Sequence, residues 1–200
     1  GRVEEPELIL NILKNHLKKK LIFKDKTFLI TAGPTFEMID PVRFIGNFSS
    51  GKMGYELANE ASRLGAKVHL ISGPSNEQIN DENIILKRIV SAEEMFNECS
   101  KVFNDIDIFI MSAAVSDYKP SKKNHTKIKK DKSEKISLEL IKNKDILKSL
   151  ASKKTKGQKV IGFSLETDNE LKNATKKLKN KNLDAIILNS LNDQGAGFNL

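Results

Sequence analysis

The chain has 200 residues, of which 38% are hydrophobic, and this content suffices for one α/β domain with a packed core. Its 34 basic residues outnumber its 26 acidic residues, and the formal net charge of +8 indicates an anionic partner, a phosphate above all. The longest apolar runs are only strand-sized, so we expect neither a membrane-spanning helix nor a membrane partner. The single cysteine, Cys99, falls inside a predicted helix, and we expect a buried thiol in a cytoplasmic protein.

Strands and helices alternate along the chain. A charged helix is predicted over residues 1–20, and the helices that follow are predicted at 52–64, 91–103, 144–152 and 169–181. Strands are predicted at 27–32, 67–72, 83–90, 107–112, 159–165 and 183–189. Ser91 and Glu94 have the pattern of a capping box, in which Glu94 reaches back to the Ser91 amide, and Asn143 is the expected cap of its helix. This alternation predicts an α/β fold with a doubly wound, mostly parallel, Rossmann-like sheet.

The connection between the first strand and the helix at 52–64 is unusually long and polar. It spans residues 33–50, whereas strand-to-helix connections usually take roughly 2–6 residues. It carries Arg43, Asn47 and the paired hydroxyls of Ser49 and Ser50. Ser50 is the expected cap of the helix, although free N–H groups at that helix start could instead receive an anion. A connection of this kind is more typical of a site than of a simple linker.

Two further polar loops follow predicted strands, at 113–120 and at 163–167. Ligands of open parallel sheets bind outside the carboxyl ends of the strands, so we expect these loops and the first one to converge. Residues 119–140 predict a flap inserted over the sheet, with short extended pieces at 127–129 and 136–140.

Two other function classes stay open on the residues alone. The lysine-rich run at 119–135 is compatible with a module that binds RNA or another polyanion, although no interleaved aromatic residues support it. Tyr118 and Lys122 have the spacing of the catalytic pair in short-chain reductases, which would bind NADPH, but Pro120 lies between them and disfavours the required helical turn. Neither a Walker A pattern nor a G-x-G-x-x-G turn is present, and the three histidines suggest no catalytic triad.

Several separated blocks of the sequence together resemble one family, phosphopantothenoylcysteine synthetase, over residues 26–200. In chain order, these blocks are Asp-Pro-Val-Arg-Phe-Ile-Gly-Asn-Phe-Ser-Ser-Gly-Lys-Met-Gly at 40–54, Ala-Ala-Val-Ser-Asp-Tyr at 113–118, Lys-Ile-Lys-Lys at 127–130, Lys-Asn-Lys-Asp at 142–145, Gly-Phe-Ser-Leu-Glu-Thr at 162–167 and Gly-Ala-Gly-Phe at 195–198. The family usually has proline where Lys144 stands in this chain.

This resemblance implies a ligase of coenzyme A biosynthesis. Such an enzyme joins 4′-phosphopantothenate to L-cysteine through an acyl-cytidylate formed with CTP and Mg²⁺, and it is a homodimer that needs no nucleic acid. Residues 1–22 are similar to the stretch that joins the synthetase to a decarboxylase in the bacterial fused protein. Residues 23–200 would then be the synthetase domain, cut short at its C-terminus, and FMN would bind only the decarboxylase domain, outside this chain.

The resemblance also implies roles for individual residues. Arg43, Asn47 and Lys127 would be catalytic, and Arg43 and Asn47 would also hold the acyl-cytidylate together with Ala113 and Ala114. A larger set would bind the nucleotide, namely Gly33, Ala113, Asp117, Lys127, Lys144, Asp145, Ile146, Leu147, Phe163, Lys177 and Lys181. Without the resemblance, Lys177 and Lys181 would be interpreted as an exposed helix face. No metal ligands are predicted.

Overall fold

A computed structural model describes residues 5–17, 21–129, 135–166 and 168–190. Its helices are α1 (Pro6–Leu17), α2 (Lys52–Arg63), α3 (Ala92–Val102), α4 (Ile146–Ala151) and α5 (Glu170–Asn180), with a 3₁₀ turn at Phe103–Asp105. Its strands are β1 (Thr27–Ala32), β2 (Phe36–Met38), β3 (Phe44–Gly46), β4 (Lys67–Ser72), β5 (Ile84–Arg88), β6 (Ile108–Met111), β7 (Tyr118–Pro120), β8 (Leu140–Lys142), β9 (Lys159–Glu166) and β10 (Ala185–Ser190).

Six of these strands form one parallel sheet in the order β10-β9-β6-β1-β4-β5. The strand order reverses between β1 and β6, and ligands of doubly wound sheets bind beside this switch point. The predicted fold class, an α/β fold with a doubly wound parallel sheet, is confirmed.

Both faces of the sheet are buried, as continuous apolar strands require. Phe28 and Ile30 of β1 face a core that includes Tyr55 and Ala58 of α2. Leu29, between them, belongs to a second core that includes residues of α3 and α4. Cys99 of α3 is fully buried in that second core, as predicted.

Two short antiparallel hairpins lie outside the sheet. The first pairs β2 with β3 and occupies the segment that the sequence predicts as an unstructured connection. The second pairs β7 with β8 and begins the predicted flap. The prediction of extended pieces at 127–129 and 136–140 is mostly wrong, because only Leu140 of those residues lies in a strand. The strands of both hairpins have only three residues each, which is too short for an alternation of hydrophobic and polar residues to be recognised in the sequence.

Three predicted helix caps are also wrong in detail. Gly51, with a φ of 88°, is the N-cap of α2 instead of Ser50. Asp145, whose Oδ1 accepts the Lys148 N–H at 2.9 Å, caps α4 instead of Asn143. Ser91 does cap α3, but the Glu94 carboxylate accepts the N–H of Val90 instead of that of Ser91.

The N-terminal helix predicted over residues 1–20 is α1, and residues 1–4 and 18–20 lie outside the described residues. The block at 195–198, Lys130 and Thr167 lie outside them as well. None of the helices described is both long and apolar enough to cross a membrane.

Candidate active site at the carboxyl edge of the sheet

The loops after β1 and β6 are joined where these strands end. A bridge between Pro34 and Ala114 extends their parallel pairing beyond the sheet. The Ala114 N–H donates to the Gly33 carbonyl at 2.9 Å, and the Thr35 N–H donates to the Ala114 carbonyl at 3.3 Å. Gly33 has a φ of 72°, a backbone conformation that residues other than glycine rarely adopt. Gly33, Ala113 and Ala114 therefore come together at the switch point, as the sequence predicts.

Thr35 and Ser116 hold the second loop in place. The Ser116 N–H donates to the Thr35 Oγ1 at 3.0 Å, and the Ser116 hydroxyl donates to the Thr35 carbonyl at 3.3 Å. Both side chains are buried, so each hydroxyl satisfies a polar group that water does not reach.

Asn47 stands beside the same loop, immediately after β3. Its Nδ2 donates to the Val115 carbonyl at 3.0 Å and to the Ala114 carbonyl at 3.4 Å. Within the described part of the chain, no group donates to its Oδ1, and the residue is exposed to solvent. The two hydrogen bonds thus hold the side-chain amide of Asn47 in one orientation. Its Oδ1 stays available to accept a hydrogen bond from a ligand.

A cavity of about 170 Å³ opens next to this loop. Its wall combines residues from the loops after β6 and β8, the start of α4, β9 and the C-terminal end of α5. The lining residues are Met111, Ala113, Val115, Ser116, Asp117, Asn143, Lys144, Asp145, Ile146, Leu147, Phe163, Lys177 and Lys181. Nine of the residues predicted to bind nucleotide are among them, whereas Gly33 and Lys127 are not.

Lys177 of α5 and Lys181, the residue that caps the C-terminal end of this helix, give the cavity positive charge. The Lys177 Nζ donates to the Phe163 carbonyl at 2.7 Å. Burial lowers the pKa of Lys177, and the neighbouring charge of Lys181 lowers it further. Lys181 forms an ion pair with Asp145 at 2.8 Å. Neither lysine belongs to an exposed helix face, and that alternative is wrong.

Two carboxylates and a third lysine complete the cavity wall. Burial raises the pKa of Asp145, but hydrogen bonds from Lys181 and from the Lys148 N–H outweigh burial and leave the pKa below its usual value. In the described chain, no hydrogen bond or ion pair reaches the Asp117 carboxylate. Lys144 lines the cavity, but its ammonium lies 3.8 Å from the centre of the Phe96 ring.

The family model for the DNA/pantothenate metabolism flavoprotein C-terminal domain matches residues 23–200. The chain belongs to this family. It is 43% identical over 200 residues to Coenzyme A biosynthesis bifunctional protein CoaBC of Borreliella burgdorferi, and it covers 51% of that relative. The chain thus spans about half the length of the curated relatives it matches.

Two solved structures have a similar fold. The crystal structure of the C-terminal domain of a CoaBC protein is 40% identical, with a TM-score of 0.74, and the match covers 86% of this chain and 79% of that one. A Cab2 mutant in complex with phosphopantothenate-cysteine is 21% identical, with a TM-score of 0.72, over 92% of this chain and 79% of that one. The second likeness shows the shared fold alone.

Arg43 and Lys127, predicted as catalytic in this family member, lie outside the cavity wall. The Arg43 guanidinium binds the buried Asp40 carboxylate, with its Nη2 at 2.6 Å, and the same Nη2 donates to the Ile128 carbonyl at 2.7 Å. Lys127 is exposed, and no described residue pairs with its ammonium. The structure therefore places Lys127 on the segment that Arg43 holds. The catalytic roles of both residues stay predictions.

The sequence interpretation missed Asp40, Thr35, Ser116 and Asn143. Asn143 donates from Nδ2 to the Ser116 carbonyl at 2.9 Å and so joins the cavity's two main loops. A sequence signal exists for Asp40, since Asp-Pro-x-Arg is a common start of a turn in which the aspartate accepts backbone N–H groups. The contacts of the other three residues join segments far apart in the sequence, which no local pattern reveals.

Proposed function

We propose that this chain is the synthetase part of a coenzyme A biosynthesis protein and that it joins 4′-phosphopantothenate to L-cysteine with CTP. The observation that carries the proposal is the cavity at the switch point, because nine residues expected to bind the nucleotide line it. The family membership and the relatives named for coenzyme A biosynthesis support the same assignment. The Cab2 complex with phosphopantothenate-cysteine supports the choice of product.

The reaction has two steps. The carboxylate of 4′-phosphopantothenate attacks the α-phosphorus of CTP, and the bond to pyrophosphate breaks, which leaves an acyl-cytidylate. The amine of cysteine then attacks the acyl carbon, loses a proton and expels CMP, so that an amide forms. Neither step needs a nucleophile from the protein. Both need two anions held together and charge stabilised as it develops.

The residues of the site suit those needs. Asn47 would hold the acyl group, because its side chain is fixed against the Ala114 and Val115 carbonyls and its Oδ1 can accept the amide N–H of the phosphopantothenoyl group. Lys177 and Lys181 would attract the phosphates, since ammonium groups are common phosphate ligands. Lys127 would supply a positive charge during formation and breakdown of the acyl-cytidylate. Asp117 would recognise the nucleotide.

Mg²⁺ would enter together with the triphosphate. Within the described residues, no three metal-binding side chains cluster, but two carboxylates, Asp117 and Asp145, line the cavity. Carboxylate oxygens are suitable ligands for Mg²⁺, which usually keeps several waters and phosphate oxygens as its other ligands. The ion would neutralise the charge on the phosphates.

We further propose a homodimer in the cytoplasm, fused in the intact protein to a decarboxylase domain that binds FMN. In this organisation residues 1–22 connect the two parts and residues 23–200 form the synthetase domain. Neither nucleic acid nor a membrane would take part in the reaction.

The direct test is formation of phosphopantothenoylcysteine by the protein at its full natural length, with CTP or ATP as the nucleotide. We expect product with CTP, and Asn47→Ala and Lys127→Ala should each lower kcat by at least roughly 100-fold, the range of a lost charge-stabilising group. Lys123→Ala, which removes an exposed lysine from the same segment, is the matched control for Lys127. Normal turnover by Asn47→Ala or Lys127→Ala would contradict the assigned roles.

Nucleotide binding gives a separate test of the cavity. Lys181→Ala should raise the Kd for CTP by roughly 10-fold, because it removes a phosphate ligand and leaves Asp145 unpaired. Lys179→Ala, on the exposed side of α5, should change that Kd less than twofold. Equal Kd values for the two variants would place the nucleotide elsewhere.

A further inference from the structure

Asp40 is a buried carboxylate that lies outside the cavity wall. It lies in the turn between β2 and β3, and its exposed fraction is 0%. Its Oδ1 accepts the N–H groups of Val42 at 2.8 Å and of Arg43 at 2.9 Å. Its Oδ2 accepts the Arg43 Nε at 2.9 Å and the Ile128 N–H at 3.1 Å. A buried charge is tolerated only when it is paired and hydrogen-bonded in this way.

The contact with Ile128 joins two parts of the chain that are 88 residues apart. Asp40 accepts the N–H of Ile128, and Arg43 donates to its carbonyl at 2.7 Å. The Asp40–Arg43 ion pair thus binds both the N–H and the carbonyl of Ile128. In a β-sheet, a neighbouring strand would make these two hydrogen bonds. A second attachment lies nearby, where the Asn124 N–H donates to the Ile39 carbonyl at 2.9 Å.

These contacts connect the segment that carries Lys127 with the turn that precedes Asn47. The Ile128 N–H belongs to the peptide group that joins it to Lys127, so the hydrogen bond to Asp40 fixes the backbone next to that lysine. On the other side, Arg43 leads directly into β3, which ends just before Asn47. Asn47 is held against the loop after β6. The backbone at Lys127 and Ile128 is therefore connected to Asn47 through the side chains of Asp40 and Arg43 and the short strand β3.

We propose that Asp40 is a positioning residue: through Arg43 and the backbone of Ile128 it fixes the segment that carries Lys127 to the turn that leads through β3 to Asn47. The inference rests on the proposed function, in which Lys127 acts on the acyl-cytidylate. Asp40 itself touches neither substrate nor nucleotide.

The hydrogen bonds explain why a carboxylate is needed. Among the residues that the structure describes, the groups that bond to the Asp40 carboxylate are all donors, namely two N–H groups of its own turn, the Arg43 guanidinium and the Ile128 N–H. A carboxylate offers acceptors only, whereas the amide of asparagine would turn two N–H donors towards groups that also donate. Asp40→Asn therefore keeps the size of the side chain and breaks the contacts on one of its two sides.

The test measures the segment and the chemistry separately, in the full-length protein. Hydrogen exchange followed by mass spectrometry reports on the backbone amides of residues 122–129, and steady-state kinetics report kcat. Asp40→Asn should raise the exchange rate of this segment by roughly 10-fold or more and lower kcat by roughly 10- to 100-fold, in line with the loss of charge-assisted hydrogen bonds. The Kd for CTP should change by a smaller factor than kcat, because the substitution leaves Asp117, Asp145 and Lys181 unchanged.

Ile128→Pro provides a second variant that does not depend on Asp40→Asn folding well. It removes the N–H that Asp40 accepts, whereas Ile128→Ala keeps that N–H and should behave like the unmodified protein in both measurements. The double variant Asp40→Asn, Ile128→Pro should exchange no faster than the faster single variant, since both changes remove the same hydrogen bond. Asp81→Asn is the matched control, because Asp81 also accepts a backbone N–H, from Asn83 at 2.9 Å, at the opposite edge of the sheet.

Three outcomes would overturn the proposal. Equally fast exchange of the segment in the unmodified protein and in Asp40→Asn would mean that no attachment exists in solution. Faster exchange with an unchanged kcat would show that the attachment does not position Lys127. An Asp81→Asn variant with the same kcat loss would show a general effect on folding. If the unmodified protein makes no product with any nucleotide, the proposed function fails, and the exchange data still decide whether Asp40 holds the segment.

Discussion

A single added methyl group should separate α2 from the sheet at the edge that carries the site. Gly54 lies in the first turn of α2 and is buried. A Cβ at this position would lie 2.5 Å from the Ala32 Cβ, 3.0 Å from the Ala32 Cα and 2.9 Å from the Ser112 Oγ. Carbon atoms in contact normally stand about 3.5–4.0 Å apart, so the first turn of α2 would have to move by about 1 Å.

Gly54→Ala should therefore destabilise the protein in spite of the better helix propensity of alanine. Overpacking of this kind costs about 1–3 kcal/mol. For a chain of this size, 1 kcal/mol corresponds to about 2–4 °C in Tm, so we expect Tm to fall by roughly 2–12 °C. Because α2 begins next to the loop that holds Asn47, the KM for 4′-phosphopantothenate should rise as well.

Thermal unfolding followed by circular dichroism measures the first effect. Glu56→Ala, a change on the exposed side of the same helix, is the control and should stay within about 0.5 kcal/mol of the unmodified protein. If Gly54→Ala and Glu56→Ala unfold at the same temperature, α2 does not pack as closely on β1 and β6 as described.

Two further predictions concern buried and paired groups. Burial raises the pKa of the Cys99 thiol, with a smaller contribution from Glu98, so at pH 8 a thiol reagent should label Cys99 at least roughly 1,000-fold more slowly than free cysteine, and urea should accelerate labelling in step with global unfolding. Fast labelling without urea would show that α3 opens locally. Burial also raises the pKa of Asp184, but hydrogen bonds from the Val160 N–H, Lys154 and Lys159 lower it more, and the net pKa lies below the usual value. The stabilisation by Asp184 is therefore complete above its unfolded-state pKa of about 3.9 and is lost as the pH falls through the lower folded-state pKa. In urea unfolding, Asp184→Asn should be less stable than the unmodified protein at pH 6, and this difference should shrink below pH 4; a difference that is constant with pH would contradict the assignment.

The sheet could be predicted because each of its main strands is a short apolar segment that is recognisable in the local sequence. β1 and β4 have the bounds that the sequence predicts, since each is an apolar run between polar or turn residues. Helix starts were less predictable where several residues compete for one role. Asn143 and Asp145 are both good caps, and the choice between them depends on Ser116, whose carbonyl binds the Asn143 side chain.

The site was only partly predictable, for the same physical reason. The residues expected at the nucleotide came from the resemblance of separated blocks, and nine of them line one cavity, although their binding of CTP stays a prediction. The role of Asp40 depends on a backbone group 88 residues away, which no spacing within one segment reveals. Sequence patterns therefore predict the elements and the edge where the site lies, whereas contacts between distant loops emerge only from the folded chain.

Pyrophosphate release before cysteine is added tests the central claim most directly. The full-length protein should release pyrophosphate from CTP when 4′-phosphopantothenate and Mg²⁺ are present, and mass spectrometry should detect the acyl-cytidylate. Addition of cysteine should then yield the amide and CMP. Absence of pyrophosphate release with both CTP and ATP, from a protein shown to be folded, would contradict the account.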